Sequence, residues 1–210
     1  MKELLRIGLD HPDYPPQLRD LPEAYRPAEI TAMGNPALLH ARTIALLCSQ
    51  SCPGDLASQA YDVAQSLRDL GAIVASGFHS PMEKTCLQVL LASPHPVVVA
   101  MARSLSKAPK LPSEYRRPME EGRLLVLSCF EPDIDRVTRE TAARRNLFVA
   151  TLAAKIFVAH AQEGGSSISL CRKVIDWGKP LYTLAAPRNE AVIDLGAIPL
   201  QPGEARTHLA

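Results

Sequence analysis

Short apolar segments alternate along most of this chain with longer segments that have helical periodicity. The apolar segments, each five or six residues long, lie at 43–48, 72–76, 96–101, 124–128, 155–160 and 180–185. Helical spacing of apolar residues occurs between them, at 55–71, 82–92, 112–121, 134–152 and 167–178, and a short helix is expected at 189–196. Strands that are apolar throughout are buried on both faces, which is typical of a parallel sheet between two helix layers. We therefore expect an α/β fold, with a Rossmann-like, doubly wound, mostly parallel sheet and helices on both faces.

The first 40 residues have a different pattern, with prolines and turn-forming residues in place of long apolar periodicity. Residues 1–29 are expected to form an extended lead-in with short helical turns. A short strand is predicted at 29–34 and a capped helical turn at 35–39. The expected organisation is an N-terminal extension packed on the core (1–40), a Rossmann-like domain (41–200) and a tail (201–210).

Local signals mark the helix ends. Asp55 is predicted as an N-cap, and Gly71 as the stop of the same helix. Ser80 is a natural N-cap, followed by Pro81, which presets the first helical turn.

Composition limits the class of protein. With 210 residues, 47% hydrophobic and 21% charged, the chain can bury the core of one large domain. Its net charge of +1 gives no bulk attraction for nucleic acid, so any basic site must be local. No signal peptide is recognisable and no apolar run approaches the roughly 20 residues of a membrane helix, so we expect a cytoplasmic protein.

The five cysteines are scattered, which argues against a disulfide framework. Cys48 and Cys52 are four residues apart, but no second pair lies near them, so we expect no zinc site. The ordinary interpretation of Cys48 is a small buried apolar side chain. We expect no metal and no cofactor.

In a doubly wound sheet, ligands bind beyond the carboxyl ends of the strands, here the loops after residues 48, 76, 101, 128, 160 and 185. In the first loop, Ser49 and Gln50 precede a helix and are candidate anion ligands. Asp55 would compete with an anion for the same helix terminus, so an ordinary capped turn is the alternative.

The loop at 76–83 contains Gly77, interpreted as the residue of a tight turn. Ser76, His79 and Ser80 are possible donors to an anion there. The alternative is that this loop contains capping chemistry only, with His79 in solvent.

The loop at 160–169 has the strongest pattern. Gly164 and Gly165 allow a ligand to approach the backbone closely, and Ser166 and Ser167 stand at the helix start. Phosphate or a nucleic-acid backbone would suit this loop. It is not a P-loop, because no Gly-Lys-Ser/Thr follows. A glycine turn with a serine cap is the alternative.

Two segments concentrate positive charge. Residues 103–117 contain five basic residues, Arg103, Lys107, Lys110, Arg116 and Arg117, and one acidic residue, Glu114. Residues 136–145 contain four basic residues in this set, Arg136, Arg139, Arg144 and Arg145, and one acidic residue, Glu140. Such patches fit contact with a phosphate backbone, although a solvated helix face also explains Arg136 and Arg139. Arg144, Arg145 and Asn146 are consecutive and cannot share one helix face, so at least one must serve a neighbour or a ligand.

Taken together, these segments resemble the DNA-processing protein A (DprA/Smf) family. The resemblance runs through "YPPQLRDLP", "MGNPALL", "RRNLFVATLA", "EGGSSISL", "GKPLYTLAAP" and "LGAIPL", and covers roughly residues 10–200. It implies a Rossmann-like domain that binds single-stranded DNA, helps to load RecA in transformation and recombination, and dimerises.

Carried over by position, the family's Arg-Arg-Asn corresponds to Arg144, Arg145 and Asn146. Its Ser-Gly-Ser loop corresponds to Gly164, Gly165 and Ser166, and the Ser-Gly of its second strand loop to Ser76 and Gly77.

The chain also departs from the family pattern. The Gly-Ser-Arg after the first core strand is Cys48, Ser49 and Gln50 here, without the arginine. In the second loop, Ser80 and Pro81 replace an arginine and a glycine, and Glu83 replaces an aspartate. The flanking domains found in the family have no room in 210 residues. The resemblance therefore implies an anion site at 75–91 that has lost its basic residue and some flexibility.

The function we expect is binding of single-stranded DNA without catalysis, with phosphates over Gly164–Ser167 held by Arg144, Arg145 and the basic residues of 103–117. RecA is a candidate partner, a homodimer is expected, and no membrane is involved.

Few aromatic residues can stack on bases, and only Phe78, Tyr115 and Phe130 are expected near the rim.

Three alternatives remain. One is a sensor that binds a nucleotide derivative through the same glycine loop with Ser49 and Gln50. Another is a nucleotide phosphoribohydrolase of the LOG type, which is disfavoured because no glutamate follows the glycine motif. The third is a non-catalytic scaffold that dimerises.

Overall fold

The computed structural model describes residues 4–106 and 111–209, and within them one nine-stranded sheet forms the centre of the fold. In chain order the strands are β1 (Leu5–Gly8), β2 (Glu29–Gly34), β3 (Thr43–Leu47), β4 (Ile73–Ser76), β5 (Val97–Ala100), β6 (Leu124–Ser128), β7 (Lys155–Val158), β8 (Leu181–Leu184) and β9 (Ile198–Leu200). Their spatial order is β1-β2-β6-β5-β4-β3-β7-β8-β9. Strands β3 to β9 are parallel, and β1 and β2 join antiparallel at one edge.

Helices cover both faces of the sheet. They are α1 (Pro16–Arg19), α2 (Gly54–Asp69), α3 (Pro81–Leu91), α4 (Arg116–Glu120), α5 (Arg139–Leu152), α6 (Ser166–Asp176), α7 (Glu190–Ile193) and α8 (Ala205–Leu209). Short 3-10 turns lie at Pro36–His40, Ser113–Tyr115, Pro187–Asn189 and Pro202–Glu204. One buried cluster contains residues of α2, α3, α4 and α8, and a second contains residues of α1, α5, α6 and α7. The expected doubly wound α/β fold is confirmed.

The direction of winding reverses at β3. From β3 the chain proceeds through β4, β5 and β6 on one side, and it then crosses back to place β7 on the other side. The loops that leave the carboxyl ends of β3 and β7 therefore turn toward opposite faces of the sheet, and a crevice opens between them. We call this place the switch point.

The predicted strand at 29–34 and the capped turn after it are confirmed, and the Oδ1 atom of Asn35 accepts the Ala37 N–H at 3.2 Å. Strand β1 lies in the segment expected to be extended. Further along the N-terminal segment, Tyr14 and Leu18 are buried against the face covered by α5 and α6. Beyond residue 196 the chain adds β9 and α8, neither of which the pattern predicts. Leu209 of α8 is 1% exposed and lies in the same buried cluster as the apolar residues of α2.

Two predicted helix starts are wrong. Helix α2 begins at Gly54 with Pro53 as its N-cap, so Asp55 lies inside the first turn. The fixed φ of Pro53, −56°, suits the entry to a helix without a side-chain cap. Helix α5 begins at Arg139 instead of residue 134, because Thr138 and Thr141 form a reciprocal capping box.

Other predicted helix ends are confirmed. Gly71 has a φ of +70° just after α2, the left-handed conformation that ends many helices. The Oγ atom of Ser80 accepts the Glu83 N–H at 3.2 Å and caps α3. None of the helices within residues 4–106 and 111–209 combines the length and the apolar character needed to cross a membrane.

Lys179 closes the carboxyl end of α5. Its ammonium group donates to the carbonyl oxygens of Ala150, Thr151 and Ala153 at 2.9, 2.5 and 2.8 Å. These carbonyls have no later turn of helix to bond with, so one side chain satisfies three acceptors and neutralises the negative end of the helix.

We expect Lys179→Met to lower the free energy of unfolding by about 1.5–3 kcal/mol, because three buried carbonyl groups lose a charged donor. Lys84→Met is the matched control, since Lys84 is exposed on α3. Its effect should stay within about 0.5 kcal/mol. Urea unfolding of both variants measures the difference, and equal effects would contradict this role of Lys179.

Candidate functional site

A cavity of about 740 Å³ lies at the switch point. The loops after β3, β4 and β7 and the first turns of α5 and α6 surround it. Its lining residues are Cys48, Ser49, Gln50, His79, Ser80, Glu83, Val137, Thr138, Arg139, Ala142, Arg145, Asn146, Gln162, Glu163, Gly164, Gly165 and Ser166. We call it the switch-point cavity. Within residues 4–106 and 111–209, no group of three or more His, Cys, Asp or Glu side chains is arranged to hold a metal ion.

Ser49 holds the loops after β3 and β7 together. Its backbone N–H donates to the His160 carbonyl oxygen at 2.9 Å, and its hydroxyl oxygen accepts the Gln162 N–H at 2.8 Å. The hydroxyl proton of Ser49 is not used in this contact. Ser49 therefore sets the width of the cavity and keeps one donor for another group.

Glu83, which is 2% exposed, occupies the anion position of the loop at 76–83. Its Oε1 accepts the Cys48 N–H at 2.9 Å, and its Oε2 accepts the N–H groups of His79 and Ser80 at 2.8 and 3.1 Å. A carboxylate of the protein thus takes the backbone donors, at the start of α3, that an external anion would need. The arrangement supports capping chemistry for this loop.

Arg145 is buried below the same loop, with 4% of its surface exposed. Its Nε donates to the Oδ1 atom of Asn146 at 2.7 Å, and its Nη1 donates to the carbonyl oxygen of Ala100 at 3.2 Å. Burial lowers the pKa of Arg145 from its usual value, and the nearby charge of Glu83 opposes that shift. The negative charge of Glu83 therefore helps to stabilise the buried guanidinium of Arg145.

The reason for glycine at position 77 is this arginine. A Cβ atom on Gly77 would overlap the Arg145 guanidinium, so only glycine leaves space for it. The interpretation of Gly77 as a tight-turn residue is wrong, because Phe78 adopts the positive φ of this loop, +46°. Ser76 is fully buried and its Oγ accepts the Phe78 N–H at 3.3 Å, which stabilises the turn from inside.

Arg144 points away from the cavity and forms an ion pair with Glu131. Its Nη2 and Nη1 atoms lie 2.9 and 3.1 Å from the two carboxylate oxygens, and its guanidinium lies over the Phe130 ring at 5.1 Å. The hydrogen bond with Glu131 raises the pKa of Arg144 and lowers the pKa of Glu131. At least one residue of 144–146 was expected to serve a neighbour, and Arg144 and Arg145 both do.

The start of α6 differs from the start of α3, because no side chain among the described residues caps it. Its N-cap is Gly165, which provides no side-chain cap, and its first turn contains no acidic residue. Gly164 has a φ of +70°, which lets the chain turn sharply into the helix. The first N–H groups of an α-helix have no intrahelical partner, and they carry the positive end of the helix dipole. This terminus can therefore accept an anion.

Arg139 brings a positive charge to the cavity from the first turn of α5. Its side chain is exposed and lines the cavity, and in the part of the chain that the structure describes no hydrogen bond or ion pair engages its guanidinium. From the sequence, Arg139 was expected only as part of a basic segment. Thr138 could have predicted the position of Arg139, because a threonine N-cap places the next residue in the first turn of the helix.

The structure brings together about half of the predicted site residues. Those that line the switch-point cavity are Ser49, Gln50, His79, Arg145, Asn146, Gly164, Gly165 and Ser166. Those that do not line it are Ser76, Gly77, Arg103, Arg116, Arg117, Arg144 and Ser167. Arg117 is ion-paired with Glu121 at 2.7 Å, and Arg103 is half-buried. Lys107 and Lys110 lie outside the described residues.

The aromatic side chains expected at the rim are buried. Phe78, Tyr115 and Phe130 are 4%, 7% and 4% exposed, so their faces are packed in the core clusters instead of facing a base. The apolar residue that does lie exposed at the cavity is Val137, at 46%. The site is therefore polar and rich in backbone donors, with little surface for stacking.

The sequence matches the family described as DNA recombination-mediator protein A over residues 6–197. The chain belongs to this family. A comparison with curated protein sequences gave no match. The family assignment agrees with the resemblance found in the sequence, and the family is one of recombination mediators.

Solved structures of family members share the fold. DNA processing protein A (DprA) of Streptococcus pneumoniae is similar with a TM-score of 0.79 and 19% identity, over 97% of this chain and 73% of that one. The Helicobacter pylori DNA processing protein A, from work on its single-stranded DNA binding mode, is similar with a TM-score of 0.78 and 18% identity, over 100% and 98% of the two chains. The molybdenum cofactor carrier protein of Chlamydomonas reinhardtii is more distant, with a TM-score of 0.55 and 12% identity over 80% and 96%.

We expect Gly77→Ala to lower the free energy of unfolding by about 1–3 kcal/mol, because the new methyl group displaces the buried Arg145 guanidinium. Gly54→Ala is the matched control: no atom lies within 4 Å of its added Cβ, and Gly54 is in the first turn of α2. Thermal unfolding should show a lower midpoint for the first variant and an unchanged or higher one for the second. A neutral Gly77→Ala would show that Arg145 can leave its position at no cost.

Proposed function

We propose that this protein is a recombination mediator that binds single-stranded DNA at the switch-point cavity, with a backbone phosphate at the start of α6, and that it is not an enzyme. Family membership supports the class of function. The similarity of fold to the Helicobacter pylori protein, described for its binding of single-stranded DNA, supports the ligand.

The observation that carries the proposal is the contrast between two helix starts at one cavity. Just before α3, the N–H groups of His79 and Ser80 are already used by Glu83. The start of α6 has no side-chain cap and no acidic residue in its first turn, although Glu163 also lines the cavity just before the glycine pair. The same cavity is lined by Arg139, whose guanidinium is unpaired in the described part of the chain. A phosphate at Gly164–Ser167 would gain backbone donors and a charge-assisted contact with Arg139.

The remaining predicted residues have different parts in this proposal. Ser49, Gln50, His79 and Asn146 line the cavity and would contact sugar or phosphate. Arg145 is buried, so it would support the loop instead of gripping the strand. The basic residues that do not line the cavity would contact more distant nucleotides: Arg103, Arg116, Arg117 and Arg144.

We also propose the remaining family features for this chain. RecA would be the protein partner that receives the DNA, and the active form would be a homodimer in the cytoplasm. No residue of the cavity is assigned a catalytic role in this proposal.

A nucleotide derivative is the second candidate ligand, and the size of the cavity favours it. About 740 Å³ is within the range of small-molecule pockets, roughly 300–1,000 Å³. The fold is also shared with a molybdenum cofactor carrier protein. A phosphate of such a ligand would use the same α6 terminus, with the rest of the molecule against Ser49 and Gln50.

We expect Arg139→Ala to weaken binding of a labelled oligo(dT) of about 20 nucleotides by roughly 10- to 100-fold, because one charge-assisted contact is worth about 1.5–3 kcal/mol. The slope of log affinity against log salt should fall by about 0.7, the value for one lost phosphate contact on a single strand. Arg136→Ala is the control, since Arg136 is exposed on the same segment but does not line the cavity. Fluorescence anisotropy at two salt concentrations gives both quantities.

Equal losses in the two arginine variants would contradict the proposed position of the strand, since bulk charge alone would explain them. If the wild-type protein does not bind the oligonucleotide at low salt while a nucleotide raises its melting temperature, the second candidate replaces the first.

We further expect Arg144→Ala to weaken oligonucleotide binding less than Arg139→Ala, by no more than about threefold, because Glu131 already neutralises Arg144. Glu131→Gln tests the same point from the other side, since it releases Arg144 and should tighten binding. Competition titrations with one unlabelled oligonucleotide rank the variants. A loss in Arg144→Ala as large as in Arg139→Ala would mean that DNA opens the Glu131 ion pair.

A further inference from the structure

A second and larger cavity, of about 1240 Å³, lies between α3 and α4, and the proposed function does not use it. Helix α3, the end of β5 and the segment 112–123 form its walls. The loop after β4 borders both cavities, since His79 lines each of them. We call the larger one the α3–α4 cavity.

The inner wall of the α3–α4 cavity is apolar. Phe78, Leu87 and Val99 line it, and they belong to the buried cluster on this face of the sheet. Leu91 and Met101 are half-buried, line the cavity and pack against the same cluster. An apolar cavity with a few polar groups is the usual form of a site for a small organic molecule. A ligand with an apolar body would therefore remove apolar surface from water here.

The hydroxyl group of Tyr115 is a polar group without a partner at this cavity. Tyr115 is 7% exposed and lines the cavity, and its hydroxyl forms no hydrogen bond in the part of the chain that the structure describes. Buried tyrosine hydroxyls usually have a hydrogen-bond partner. Burial, with a smaller contribution from Glu114, raises the pKa of Tyr115 to about 12, so the hydroxyl keeps its proton at neutral pH. It therefore offers one donor to a ligand.

The charged side chains of the cavity favour an anion. Among the described lining residues, Lys84, Arg117 and Arg123 are basic, and Glu114 and Glu121 are acidic. The two arginines share one carboxylate, since Arg117 donates to Oε1 of Glu121 and Arg123 donates to Oε2. The ammonium group of Lys84 is exposed and has no hydrogen bond or ion pair within residues 4–106 and 111–209. One cation is therefore available to a ligand.

We propose that the α3–α4 cavity is a binding site for a small amphipathic anion, an organic molecule with an apolar body and one negatively charged group. The apolar body lies against Phe78, Leu87 and Val99. The anionic group accepts a hydrogen bond from the Tyr115 hydroxyl and is attracted by Lys84. This site is separate from the proposed function, because it uses neither the start of α6 nor the switch-point cavity.

Two fluorescent probes that differ by one group test the proposal on the full chain. Anilinonaphthalene sulfonate has an apolar body and a sulfonate group, and phenylnaphthylamine has the same body without the sulfonate. The emission of both probes rises when they move from water to an apolar site, so titration gives each dissociation constant. Both should bind the native protein, and the sulfonate probe should bind more tightly.

Two variants identify the polar contacts. Tyr115→Phe should weaken binding of the sulfonate probe by about tenfold or more, because a hydrogen bond to a charged group is lost. Lys84→Met should weaken it by roughly 2- to 5-fold, the range for an exposed ion pair. Neither substitution should change binding of phenylnaphthylamine. Tyr61→Phe and Arg172→Met are the matched controls, since neither residue lines the cavity, and both should bind the two probes like the wild type.

Four results would overturn the proposal. One is a wild-type protein that leaves the emission of the sulfonate probe unchanged. The second is an equal loss of both probes in Tyr115→Phe or Lys84→Met, and the third is an equal loss in the control variants. The fourth is a loss in Arg139→Ala with none in Tyr115→Phe and Lys84→Met, because the probe then lies in the switch-point cavity.

The substitutions are mild enough to keep the fold. Tyr115→Phe removes one oxygen atom, and Lys84 is exposed. An unchanged midpoint of thermal unfolding confirms that each variant is native. No readout uses DNA, so failure of this proposal and failure of the proposed function are distinguishable.

Discussion

The buried carboxylate of Glu83 determines how the ends of the central strands are arranged. It accepts backbone N–H groups from the loop after β3 and from the start of α3, and so joins two segments that lie 35 residues apart in the chain. A carboxylate at 2% exposure is stable only with several donors and a nearby positive charge. Arg145 provides that charge from α5, and Gly77 leaves the space for it.

This network decides which helix start is open to a ligand. Glu83 accepts the N–H groups of His79 and Ser80, which directly precede α3, and the Ser80 side chain accepts the Glu83 N–H. These donors are therefore not open to a ligand, although the terminus follows a central strand. Helix α6 has Gly165 as its N-cap, without a side-chain cap and without an acidic residue in its first turn. The loop after β4 is thus held from inside the protein, whereas the glycine loop, two strands away, precedes a helix start without a side-chain cap.

The chain shares its fold with solved family members although few of its residues are identical to theirs. At 18–19% identity the sheet and its helices superimpose on solved family members with TM-scores near 0.8. A doubly wound sheet depends on the spacing of apolar segments, which many sequences satisfy. Ligand contacts depend instead on single side chains in the loops. Arg139 is the cation that the structure adds to the site, and its position follows from the helix start at Thr138.

Sequence by itself determined the architecture. Apolar runs such as 43–48 and 124–128 and the helical spacing between them are local patterns, so the parallel strands and most helices were predicted. The glycine loop at 164–165 was also found this way, because its composition is local. The edge strands β1 and β9 were not predicted, since strands of three or four residues that are partly exposed have little periodicity.

Only the tertiary structure decided what each arginine does. Arg139, Arg144 and Arg145 lie on one helix, yet the first is unpaired in the described part of the chain, the second is bound to Glu131, and the third is buried beside Gly77. The residues that separate these roles lie outside the helix, at positions 77, 83 and 131. Charge and burial depend on partners brought together by folding, whereas strand and helix formation depends mostly on the chain nearby.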